Sequence, residues 1–148
     1  MTERTIFFAH ANGFPARTYT KLFNALQDSF TIDFIERIGH NPRFPVTDNW
    51  ALLVDELADA IASRHREPVI GVGHSLGGVL HFMLACKRPE LYRRLILLDA
   101  PVISRISSHG LKILKFTKLI DRYSPSQLTR YRRNSWTSRE AALEHFAS

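Results

Sequence analysis

Apolar residues along this chain recur in two rhythms that alternate with each other. Short apolar or alternating runs at Ile6–Ala9, Phe30–Ile35, Val69–Gly73 and Leu95–Leu98 have the length and β-branched or aromatic content of strands. Between them lie stretches with helical spacing. Tyr19, Leu22, Phe23 and Leu26 fall at i, i+3, i+4, i+7. Trp50, Leu53, Val54, Leu57, Ala58, Ile61 and Ala62 form one stripe, with Thr47 or Asp48 placed to cap its first N–H groups. A third helix is expected from Gly77 to about Lys87, stopped before Pro89. After Pro101 the strand pattern ends. Leu111–Tyr123 and Thr137–Phe146 read as helices, the second opened by a capping box, Thr137-x-x-Glu140.

Strands separated by helices of this length imply right-handed crossovers, and so an α/β protein with a mainly parallel sheet and helices on both faces. The runs at Val69–Gly73 and Leu95–Leu98 are apolar throughout, as expected of strands buried in such a sheet. At 148 residues the chain has the size of one domain. Hydrophobic content of 45% and charged content of 23% exclude a disordered or fibrous class. No apolar run reaches the roughly 18–20 residues that cross a bilayer, so no transmembrane helix is expected. The first residues show no leader pattern, and the lone Cys86 has no partner for an internal disulfide, which together suggest a reducing, cytoplasmic setting.

The net charge of +6 changes this picture in one respect. Residues 1–103 balance 11 basic against 11 acidic side chains, whereas residues 104–148 hold 9 against 3. A boundary is therefore expected near Ser104, between a neutral α/β body (1–103) and a basic helical segment (104–148). Lys112, Lys115, Lys118 and Arg122 recur at roughly helical spacing, and Arg130-Tyr131-Arg132-Arg133 adds a local positive patch. That patch lacks the broad basic surface or recognised module of a nucleic-acid binder, so no nucleic-acid partner is expected. With no HExxH motif and no cysteine cluster, no metal or other cofactor is expected either.

The candidate chemistry lies at Gly73-His74-Ser75-Leu76-Gly77, which fits G-x-S-x-G between a strand and a helix. A strand that turns this sharply into a helix holds its serine in a strained conformation, and side chains two before and two after would collide. Gly73 and Gly77 meet that demand. The hydroxyl of Ser75 then stands above the carboxyl ends of the strands, facing a helix N-terminus that favours developing negative charge. The other reading is a tight turn carrying an inert serine. A second loop, His10-Ala11-Asn12-Gly13-Phe14-Pro15, closes the first strand.

With this order of elements and motifs, residues 5 to about 103 resemble the α/β-hydrolase superfamily, and the remainder does so loosely. The resemblance implies an α/β-hydrolase fold incomplete at its C-terminal end, entered at what corresponds to its third strand and followed by a helical cap-like segment. It implies Ser75 as nucleophile toward an ester, thioester or other acyl carbonyl through an acyl-enzyme. The loop at 10–15 looks like the family's oxyanion loop with two extra residues. It implies backbone donors at Leu76 and at Phe14, or Asn12 nearby. In family order the acid and the histidine follow the serine on later strands, which this chain does not reach, so it is expected to be a fragment of a longer enzyme with little activity alone.

Internal substitutes for those groups are less suited. His74 adjoins the serine but points elsewhere on the turn, and His10 ends its strand; both are expected near the pocket in packing roles. His81 is expected as a hydrogen-bonded histidine on a helix face. Asp99 ends the strand beside the elbow, where some relatives carry the acid, or else it is a structural carboxylate. The apolar and basic helix at 111–122 is a cap over the pocket by resemblance, with a membrane-surface helix and a plain solvated face as alternatives; no stable membrane anchoring is expected. An apolar cap suggests a small-molecule substrate of hydrophobic acyl or aryl type. The rival to hydrolysis is a non-catalytic ligand-binding module on the same fold.

Overall fold

The computed structural model describes residues 4–47, 49–100 and 135–147. The chain divides into two units, Met1–Val102 and Ile103–Ser148.

In the first unit, β1 (Thr5–Ala9), β2 (Thr31–Phe34), β3 (Val69–His74) and β4 (Tyr92–Leu98) form one sheet in the order β2-β1-β3-β4. Every pairing is parallel: Ile6 lies opposite Ile32 and Ile70, and Gly73 opposite Leu97. The helices α1 (Thr20–Leu26), α2 (Ala51–Arg64) and α3 (Leu76–Lys87) are the crossovers. Side chains alternate along β1, so its apolar run serves both faces. Phe7 and Ala9 pack with Leu53, Val54, Leu57 and Ile61 of α2 and Leu80 and Leu84 of α3. Ile6, Phe8 and Val72 pack on the other side with Tyr19, Leu22, Phe23 and Leu26. A parallel sheet with helices on both faces is what the alternating pattern predicts.

Two local expectations are corrected. β4 is not a buried strand. Among the described residues it is the sheet edge, with Arg93, Arg94, Ile96 and Leu98 exposed, Ile96 to 46%. An apolar run marks a strand able to be covered on both faces, not one that is. α2 starts at Ala51, whose N–H donates to Asn49 Oδ1 at 3.2 Å, so Thr47 is not the cap. Thr47 instead accepts the Trp50 N–H through its carbonyl, Trp50 takes φ 55° ahead of the helix, and Asp48 lies outside the described residues.

Of the second unit the structure describes α4, Arg139–Ala147. The Ala141 N–H donates to Ser138 Oγ at 3.1 Å, which puts the cap one residue after the predicted Thr137. The expected helix at 111–123, its lysines and the Arg130–Arg133 patch lie outside the described residues. No helix among the described residues is long and apolar enough to cross a membrane.

Candidate active site

β3 ends at His74 and α3 begins at Leu76, so Ser75 alone makes the corner. It takes φ 49°, ψ −115°, a region that side-chain-bearing residues avoid at a cost of about 1–3 kcal/mol. The surroundings hold it there. The Ser75 N–H donates to Leu98 O of β4 at 2.9 Å, and its carbonyl accepts from Val79 at 3.1 Å. Both flanking glycines are required by close approach. A Cβ on Gly73 would lie 2.5 Å from the backbone of Gly77 and Gly78, and one on Gly77 would lie 2.1 Å from Ala9 O. The start of α3 therefore rests directly on the carboxyl end of β1. Ser75 is half-buried, and its Oγ has no hydrogen-bond partner among the described residues. The N–H groups of the first turn of α3, Leu76 among them, have no partner within the helix.

Loop 10–15 stands beside this corner and is held from several sides. His10 is buried; its Nδ1 meets Ala11 O at 2.8 Å and its Nε2 meets the Ile38 N–H at 2.8 Å. A carbonyl only accepts and an amide only donates, so His10 is neutral with the proton on Nδ1. Both ring nitrogens of His10 are therefore engaged in hydrogen bonds within the fold. The loop bearing Ile38 is itself anchored, because Gly39 N–H donates to Glu56 Oε2 at 2.8 Å. Burial raises the Glu56 carboxyl above the usual carboxylate range, and the Gly39 bond opposes that rise.

On the other side, Tyr19 Oη accepts the Ala11 N–H at 3.2 Å and meets His74 Nδ1 at 2.7 Å. His74 is thus half-buried and tied to the loop, in a packing role beside the serine. The Phe14 N–H donates to Ala11 O at 3.1 Å, closing a turn, so it is committed to the loop's own fold. The amides of Asn12 and Leu76 make no hydrogen bond among the described residues, and Asn12 is exposed.

The remaining candidates lie apart. Asp99 is exposed just beyond β4 at φ 45°, with no hydrogen bond to a histidine among the described residues. His81 is fully buried on α3, its Nδ1 2.9 Å from Tyr92 Oη and its ring edge-on to Phe7. Burial pushes it down to about 4. His65 meets Asp33 Oδ2 at 2.8 Å, and Asp33, which lies opposite Phe7 in the sheet, also binds Arg64 at 3.0 Å. His109 lies outside the described residues. No described histidine bonds Ser75, and among the described residues no cluster of His, Cys, Asp or Glu is placed to hold a metal. A cleft of about 520 Å³ between α1 and β4, and another of about 350 Å³ lined by Arg64, His65 and Arg93, are not lined by Ser75. Neither Tyr19 nor Glu56 stands out in the sequence, since the spacing of Tyr19 marks it only as core and Glu56 is an acid inside an apolar stripe.

The model of the alpha/beta hydrolase family matches residues 6–148. The chain belongs to that family. Among hydrolase relatives, "Putative carbamate hydrolase RutD" from Yersinia enterocolitica is 30% identical over 104 residues, covering 68% of this chain and 37% of that protein. Type I acyl-CoA thioesterase mpaH from Penicillium roqueforti is 36% identical over 76 residues, covering 51% and 16%. A solved structure of a probable hydrolytic enzyme from Pseudomonas aeruginosa superposes with a TM-score of 0.61 at 20% identity, covering 74% of this chain and 36% of that one. The chain thus spans roughly a third or less of the curated relatives' length. It is a partial α/β-hydrolase fold, in a family with hydrolase and thioesterase members.

Proposed function

We propose that Ser75 is the nucleophile of a serine hydrolase acting on ester, thioester or related acyl carbonyls, and that this chain is the nucleophile-bearing part of a longer enzyme. The observation that carries the reading is the strained corner at Ser75, whose Oγ, like the amides of Leu76 and Asn12, makes no hydrogen bond among the described residues. In this scheme Ser75 Oγ attacks the carbonyl carbon and gives its proton to a histidine base. The carbonyl oxygen becomes an oxyanion facing the Leu76 and Asn12 N–H groups. Collapse releases an alcohol or thiol, which takes the proton, and leaves an acyl-serine that water hydrolyses. One well-placed oxyanion donor contributes about 3–4 kcal/mol to such a step. Asn12 replaces Phe14 as the loop donor, because the Phe14 amide is spent on Ala11.

No described histidine reaches Ser75, so the base and its acid are assigned to the length that the relatives have and this chain lacks. Asp99, exposed and with no histidine bonded to it among the described residues, is not assigned the acid's role. A hydrophobic acyl or aryl small molecule fits a hydrolase of this family in a cytoplasmic setting. That no base reaches Ser75 among the described residues also favours a second reading, a ligand-binding module without turnover. A panel of p-nitrophenyl acyl esters on the longer protein separates the two. Hydrolysis with a burst of one nitrophenol per protein, lost in Ser75→Ala, supports the enzyme. Saturable binding without release of nitrophenol supports the module.

A further inference from the structure

The tie made by Tyr19 joins the two segments that the proposed chemistry needs side by side. Its ring is fixed in place, 4.6 Å from Phe8 and 6.4 Å from Phe23 between ring centroids. One hydroxyl therefore stands at a defined point between loop 10–15 and the residue preceding Ser75. Oη accepts the Ala11 N–H and stands 2.7 Å from His74 Nδ1, a contact it makes as donor when that nitrogen carries no proton. The arrangement forms a chain of contacts. Glu56 holds Gly39, the neighbouring Ile38 amide holds His10, His10 holds Ala11 O, and Tyr19 holds the Ala11 N–H and His74. Both sides of the Ala11 residue are thus gripped by side chains, one residue before Asn12.

We propose that Tyr19 is a positioning residue that locks the Asn12 amide against the Ser75 corner through its paired bonds to Ala11 N–H and His74 Nδ1. The proposal rests on the reading of Ser75 as nucleophile. Tyr19 touches neither substrate nor the reacting atoms. It fixes the distance between an amide on a loop and an oxygen on a turn, two groups that no direct bond joins. A donor that drifts by an ångström loses much of its value to a developing oxyanion.

Tyr19→Phe removes the hydroxyl and keeps the stacked ring. In the 148-residue chain, Ala11 amide exchange is expected to rise roughly three- to tenfold relative to the amides of β1, in line with loss of one hydrogen bond. Nitrogen NMR of the His74 ring is expected to show an unprotonated Nδ1 in the wild type and a mixed tautomer in the variant. In the longer protein, labelling of Ser75 by a fluorophosphonate is expected to slow roughly tenfold, a fraction of what loss of a donor costs. Unchanged Ala11 exchange with a protonated Nδ1 in the wild type overturns the proposal. Faster exchange with unchanged labelling also overturns it, since the tie is then only structural. If wild-type Ser75 does not label at all, the nucleophile reading fails on its own, while exchange and tautomer still decide whether the clamp exists.

Discussion

His81 gives the fold a built-in acid sensitivity whose size follows from its burial. The side chain is wholly enclosed between Phe7, Tyr92 and the backbone at Gly71, and its folded pKa is about 4 against about 6.5 for the unfolded chain. Above pH 6.5 both states hold it neutral and it contributes no pH dependence. Below 6.5 the unfolded chain takes up a proton that the folded chain refuses, so stability falls as pH drops, until the folded state titrates near 4. Linkage gives a loss of about 2 kcal/mol at pH 5 and about 3 kcal/mol at pH 4. For a domain stable by about 5–15 kcal/mol that is a large share. Tyr92, its hydroxyl partner, is raised by burial and stays neutral throughout. Urea unfolding of wild type and His81→Gln at pH 7.5, 6, 5 and 4.5 measures it, because the other titrating groups cancel in the difference. The wild type is expected to lose about 2 kcal/mol more than the variant between pH 7.5 and 5. Parallel profiles refute the reasoning and mean that His81 is either charged or open to water in the folded protein.

Three further outcomes are expected. Ser75→Gly removes the nucleophile but relieves the backbone strain at φ 49°, and chemical denaturation is expected to show it more stable than wild type by about 1 kcal/mol. Gly77→Ala puts a Cβ 2.1 Å from Ala9 O, backbone against backbone, and is expected to cost about 3 kcal/mol or more in the same assay. Ile96→Thr on the exposed edge of the sheet is expected to cost under about 0.5 kcal/mol in this chain, whereas Leu80→Ala in the core is expected to cost about 2–5 kcal/mol.

Much of this architecture is legible in the residue pattern because periodicity reports burial directly. The run Ile6–Ala9 is apolar on both faces since β1 lies inside the sheet, and the α2 stripe meets Phe7 as its spacing requires. Gly73 and Gly77 are legible as well, since a tight strand–helix corner leaves no room for side chains. Pattern fails where the deciding contact is non-local. Leu95–Leu98 is apolar but sits at an edge, and sequence does not show which strands will lie beside it. Nor does spacing reveal that the Phe14 amide folds back on Ala11, leaving Asn12 as the candidate donor. Tyr19 and Glu56 act through single polar atoms at positions that otherwise read as helix face, and only the packed structure brings those atoms to Ala11, His74 and Gly39.

The proposed chemistry stands on one hydroxyl. Treating the longer protein with a fluorophosphonate and mapping the adduct by peptide mass spectrometry tests it most directly. The expected result is stoichiometric modification on the peptide containing Gly73–Gly77, localised to Ser75 and absent from Ser75→Ala. An unmodified Ser75 in folded protein, or an adduct on another residue that persists in Ser75→Ala, contradicts it.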